Sequence, residues 1–68
     1  MKNELREYFK KQQYRMAKES LIDYDEVDEK YKSILLNQIC LCVDVRFKDI
    51  WLNVFKDRKE CVNAFNVL

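Results

Sequence analysis

The 68-residue chain contains neither glycine nor proline. Glycine enters left-handed backbone without steric cost, and proline pre-sets the first corner of a tight turn. Without them, turns that need a positive φ fall to Asn and Asp, and few such turns are expected. A β-sandwich or barrel requires a turn about every 8–12 residues, which this composition does not supply. Long helices joined by polar corners satisfy the restriction. The expected fold class is therefore all-α: a small bundle of three helices, or four, built from a helical hairpin over residues 3–45 plus a C-terminal helix or helices. The length allows one helical domain, residues 1–68.

Size sets the next constraint. A domain of this length buries only about 60% of the surface its unfolded chain exposes. Small scaffolds usually compensate with disulfides, a metal or a partner chain. With 49% hydrophobic and 37% charged residues, the chain is outside the range of intrinsic disorder. No apolar run approaches the roughly 20 residues needed to cross a bilayer. Residues 1–11 lack the apolar region of a signal peptide, and Glu4 and Glu7 oppose an acid-poor mitochondrial presequence. The expected setting is intracellular, in the cytoplasm or nucleus (host cytoplasm for a viral protein), with no membrane partner.

The first helix is expected from about residue 3 to residue 20. Asn3 would cap it, and Glu4 and Glu7 suit its positive end. Leu5, Tyr8, Phe9, Gln12 and Met16 share one stripe at helical spacing. Residues 19–29 then carry six acids and no base, with Asp23-Tyr24-Asp25 as the expected corner. Asp25 and Asp28 stand at capping-box spacing for a second helix.

That second helix, expected to reach about residue 45, is apolar on two sides. Val27, Tyr31, Ile34, Leu35, Gln38, Leu41, Cys42 and Val45 form one face, which the first helix would cover. Leu36, Cys40, Val43 and Phe47 form another, continued by Ile50, Trp51 and Val54. Asp44 or Asp49 could begin a new segment, or the helix could run on to Lys56. Asp57 and Glu60 repeat the capping-box spacing before a short final helix containing Cys61, Val62, Ala64, Phe65 and Leu68. Residues 40–47 are also rich in strand formers, but no hairpin turn offers them a pairing strand, so helix is preferred.

The chemistry that can be excluded is extensive. There is no histidine, hence neither the commonest general base nor the commonest metal ligand. Without glycine there is no phosphate-cradling loop. Cys40, Cys42 and Cys61 fall short of the four ligands of a zinc site, and on a helix Cys40 and Cys42 point about 200° apart. An odd number without a secretory signal does not make a disulfide framework. An EF-hand loop beginning at Asp23 would need Gly at its sixth position and Glu at its twelfth; these are Asp28 and Ile34. No enzyme, metal or cofactor is expected.

Binding is what remains. Six bases against two acids give residues 1–18 a net +4, yet the whole chain is only +1, far from a typical nucleic-acid domain. Lys10, Lys11, Arg15 and Lys18 are the candidate anion or nucleic-acid contacts, with Tyr14 among them. Gln13-Tyr14-Arg15 resembles the tyrosine–arginine element of small mitochondrial three-helix proteins with a leucine–tyrosine–arginine motif. The leucine is missing and three residues are covered, so no property is carried over. The expected function is a non-enzymatic protein–protein interaction module: a small regulator, inhibitor or complex subunit, as a homodimer, with a heterologous partner, or both. Its contact surface would be Leu36, Cys40, Val43, Phe47, Ile50, Trp51 and Val54. On that reading Trp51→Ala weakens association and leaves helicity intact, whereas loss of the helical signal makes Trp51 a core residue. The alternative is a nucleic-acid-binding helical dimer using the basic first helix.

Overall fold

A computed structural model describes residues 2–68. Four α-helices follow in order: α1 (Lys2–Glu26), α2 (Lys32–Cys42), α3 (Lys48–Val54) and α4 (Lys59–Asn66). Short 3₁₀ turns, Glu29–Tyr31 and Val45–Phe47, lead into α2 and α3. No strand occurs among the described residues. The all-α bundle is thus of the expected class, in its four-helix form.

The corners show how a chain without glycine turns. No described residue has a positive φ. Direction changes instead at residues in extended backbone: Asp28, Val43 with Asp44, and Arg58. At the first, the Tyr31 amide closes onto the Asp28 carbonyl at 2.9 Å. At the second, the Asp44 carboxylate accepts from the Arg46 amide at 3.0 Å and starts the next turn as an N-cap. At the third, the Arg58 amide donates to the Phe55 carbonyl at 2.8 Å.

Several expected boundaries move. Helix α1 does not stop near Ser20 but runs to Glu26, so Asp23-Tyr24-Asp25 is helix and the corner lies at Val27–Asp28. The physical reason is Tyr24, which continues the inward face of α1 one turn beyond Leu21 and is buried. Asn3 lies inside α1 and not at its cap. Neither expected capping box forms. The Asp25 carboxylate pairs with Arg58, at 2.8 and 2.6 Å, and Glu60 accepts the Tyr24 hydroxyl at 3.0 Å. The second helix ends at Cys42, and residues 44–57 form a separate turn and helix.

The core is one aromatic cluster with small residues at its points of closest approach. Trp51, Phe55, Phe65, Cys61 and Ala17 are all fully buried, joined by Tyr24 and Ile39. Trp51 and Phe55 stack with ring centroids 6.1 Å apart. Phe65 meets Phe55 edge-on at 5.1 Å and Trp51 at 6.0 Å. These are the offset and T-shaped arrangements that the ring quadrupoles prefer. Ala17, whose side chain ends at Cβ, sits on α1 between Gln13 and Leu21 and lets that helix lie close to the cluster.

One polar group ties α1 to this cluster. The Gln13 side-chain oxygen accepts from the Trp51 indole at 2.7 Å and from the Asp44 amide at 3.0 Å. A carbonyl oxygen has two lone pairs, and here both are used. At the other end of the molecule Tyr24 closes the core against α4. Burial, helped by Cys61 and Glu60, holds its hydroxyl protonated well above the ordinary tyrosine range. A raised folded-state pKa means stability is complete below the unfolded value of about 10 and declines as pH rises past it. Wild-type protein is therefore expected to lose melting temperature above that pH, with a smaller loss in Tyr24→Phe. Parallel declines in thermal melts from pH 8 to 11 would remove Tyr24 as the cause.

Candidate protein interface

Six of the seven residues expected to form a contact surface are turned inward. Trp51 has no solvent exposure and Phe47 has 4%. Leu36, Cys40, Val43 and Val54 are half-buried against the main cluster. Ile50 is half-buried outside that cluster and lines a surface depression with Glu7, Lys10, Lys11 and Tyr14. Phe47 lies apart from that cluster, with the Arg6 and Arg46 guanidinium carbons 5.4 and 5.6 Å from its ring centroid. The Asp44–Arg46 ion pair, with contacts of 2.6–3.2 Å, holds one of these cations in place. The corner at Val43–Asp44 explains the inversion. It folds α3 back so that the second stripe is enclosed by α1 and α4.

The opposite face of α2, which α1 was expected to cover, is open apart from Leu35, which packs against the core cluster. Ile34, Leu41 and Val45 are exposed, Leu41 at 80%. The larger uncovered surface is on α1 itself. At about 100° per residue, the line through Arg6, Gln13, Ala17, Leu21 and Tyr24 faces the bundle. Leu5, Phe9, Gln12 and Met16 lie roughly 100° around from it. Leu5 and Tyr8 are 57% and 56% exposed, and Phe9 and Met16 are also exposed. The Tyr8 and Phe9 rings meet edge-on, with centroids 5.7 Å apart. Leu5 and Tyr8 line one shallow depression with Lys2 and Glu4. Leu5 and Phe9 line another with Arg6, Arg46 and Phe47. The sequence pattern had grouped these α1 residues correctly but placed them against the core.

Lys11, Arg15 and Lys18 share the side of α1 turned away from the bundle, while Lys10 sits toward α3 beside Ile50. The Lys18 ammonium lies 4.4 Å from the Tyr14 ring centroid. Among the described residues the ion pairs are Asp44–Arg46 and Asp25–Arg58, so none of these four bases is paired with a carboxylate.

Elsewhere, polar groups are engaged with one another. An open cleft between the end of α1, α2 and α4 is lined by Tyr24, Asp25, Glu29, Lys32, Ser33, Leu36, Arg58 and Glu60. In it Arg58 holds the Asp25 carboxyl below the usual carboxylate range, and the Lys32 ammonium donates to the Tyr24 carbonyl. The three cysteines are free thiols: Cys42 exposed, Cys40 half-buried and Cys61 buried. Burial pushes both Cys40 and Cys61 up, which keeps them protonated and weakly nucleophilic. Among the described residues no group of three or more Cys, Asp or Glu is arranged to hold a metal ion, and no helix is long and apolar enough to cross a membrane.

Gln13, Ala17, Tyr24 and Phe55 organise the fold, and none was marked by the sequence pattern as inward-facing. Phe55 carried a signal, standing one turn beyond Trp51 on the same helical line. Gln13 and Ala17 carried none, because polar and small residues do not register in hydrophobic periodicity. No family model, curated protein or solved structure matches the chain.

Proposed function

We propose that this chain is a non-enzymatic protein–protein interaction module, a small regulator, inhibitor or complex subunit acting by occlusion or bridging. The observation that carries this reading is the amino-terminal half of α1. It presents Leu5, Tyr8 and Phe9 to solvent although the core beneath is closed without them. Contiguous exposed apolar surface with a polar rim is the usual mark of a binding surface. Tyr and Phe bury ~150–250 Å² each at low entropic cost and are favoured interface anchors. Around them Lys2, Arg6 and Lys11 alternate with Glu4 and Glu7 and would form a rim of mixed charge. Three free thiols suit a reducing, intracellular compartment.

The test is site-specific photo-crosslinking in cells that make the protein. A benzophenone side chain at Tyr8 is expected to give discrete protein adducts, foreign or self. The same group at Asn63, exposed on α4, should give none. Equal labelling from both positions, or none from Tyr8, would remove the reading.

The unpaired, outward-facing Lys11, Arg15 and Lys18, with Tyr14 beneath Lys18, favour a second reading in which the same helix contacts nucleic acid. Such binding would weaken steeply with salt, and a flat salt response of whatever binding is found would count against it.

A further inference from the structure

The uncharged part of the α1 stripe is Leu5, Phe9, Gln12 and Met16. Its neighbours at the next helical steps are Lys2 on one side and Glu19 on the other. At helical spacing these six residues fall in a band about 100° wide. None is buried, and neither Lys2 nor Glu19 takes part in the ion pairs formed among the described residues. The seam from Lys2 to Glu19 spans about 26 Å at 1.5 Å per residue. It runs along a molecule whose longest dimension is 44 Å.

An apolar seam with a cation at one end and an anion at the other matches a copy of itself in one orientation. Two such helices placed parallel set Lys2 beside Lys2 and Glu19 beside Glu19. Placed antiparallel, with a two-fold axis between Phe9 and Gln12, they set Lys2 opposite the partner's Glu19 and Leu5 opposite the partner's Met16. Phe9 then faces the partner's Gln12, and every pair occurs twice, as a two-fold contact requires. The bases at Lys11 and Arg15 lie to one side of this seam, and Arg6 with Arg46 borders its other edge beside Leu5 and Phe9.

We propose that the partner of this surface is a second copy of the chain, paired through antiparallel α1 helices along the Leu5–Met16 seam. The proposal rests on the interaction reading above and names its occupant. The pairing is small and therefore concentration-dependent, a reversible dimer rather than an obligate one.

Sedimentation equilibrium from micromolar to millimolar chain tests it. The mass is expected to climb from 8.4 kDa toward twice that value. Phe9→Glu should hold it at the monomer throughout, with an unchanged far-ultraviolet circular dichroism spectrum showing that the helices remain. Lys2→Glu or Glu19→Lys alone should raise the dissociation constant about fivefold, because each change touches two symmetry-related pairs. The double variant, Lys2→Glu with Glu19→Lys, should return to the wild-type value. Three results overturn the pairing: a wild-type mass fixed at 8.4 kDa, a dimer indifferent to Phe9→Glu, or no recovery in the double variant. Foreign adducts from position 8 alongside any of them would leave the broader interaction reading standing, and absence of adducts would remove both.

Discussion

Replacing Trp51 with alanine is expected to lower the melting temperature by about 12 °C or more. The indole has no solvent exposure and packs against Phe55 and Phe65 at centroid distances of 6.1 and 6.0 Å. Truncating a buried Trp costs about 3–5 kcal/mol, the lost transfer free energy plus the cavity left behind. A domain of this length has a total stability of about 3–10 kcal/mol, so the substitution removes a large fraction of it. The Gln13 oxygen would also lose one of its two donors. Circular dichroism melts of wild type and variant measure the effect. Retention of a wild-type melting temperature would mean that Trp51 is dispensable to the core.

The second large effect is expected from Gln13→Leu. Leucine fills similar space but accepts no hydrogen bond. The Trp51 indole N–H and the Asp44 amide, now held at 2.7 and 3.0 Å, would both be left without their acceptor. The Trp51 indole is fully buried, so its unsatisfied donor costs about 1–3 kcal/mol, and the half-buried Asp44 amide adds a smaller loss because water can reach it. Gln13→Glu keeps an oxygen in the same position and should recover much of that loss at neutral pH. Equilibrium urea unfolding of the three proteins distinguishes the cases. Equal midpoints for Leu and Gln at position 13 would show that the bridge between α1 and α3 contributes nothing.

These two residues also mark where sequence reading succeeds and where it stops. The absence of glycine and proline predicts helices and polar corners, and the chain turns at Asp28, Asp44 and Arg58 without any positive φ. Of the expected stripe, Leu36, Cys40, Val43, Trp51 and Val54 share the core cluster, while Phe47 and Ile50 lie outside it. Periodicity cannot say which of two apolar faces another helix will cover, because that depends on the corner angle. Val43 and Asp44 adopt extended backbone, α3 turns back, and Trp51 and Phe47, which the pattern left divided between core and interface, are buried. The corner near residue 24 was misplaced for a related reason. Three acids among residues 23–26 resemble a solvated turn, while the tyrosine among them is an inward-facing residue on the same line as Ala17 and Leu21.

The exposed stripe on α1 was legible as a pattern and misassigned as a role. Leu5, Tyr8, Phe9 and Met16 have the spacing of a core-facing helix, and in a single copy they have no core to face. That mismatch between pattern and burial is what points to a partner. It also moves the expected contact surface from α2 and α3 to the amino-terminal half of α1.

The most direct test of this exchange of roles uses the chain's single tryptophan. Acrylamide quenching of Trp51 fluorescence should be followed as the protein is diluted from millimolar to sub-micromolar concentration. Burial inside one copy predicts weak quenching and a blue-shifted emission that stay constant throughout, even as any dimer dissociates. Quenching that grows on dilution, with emission moving to the red, would show that Trp51 is covered by another chain and that the inward stripe is the interface after all.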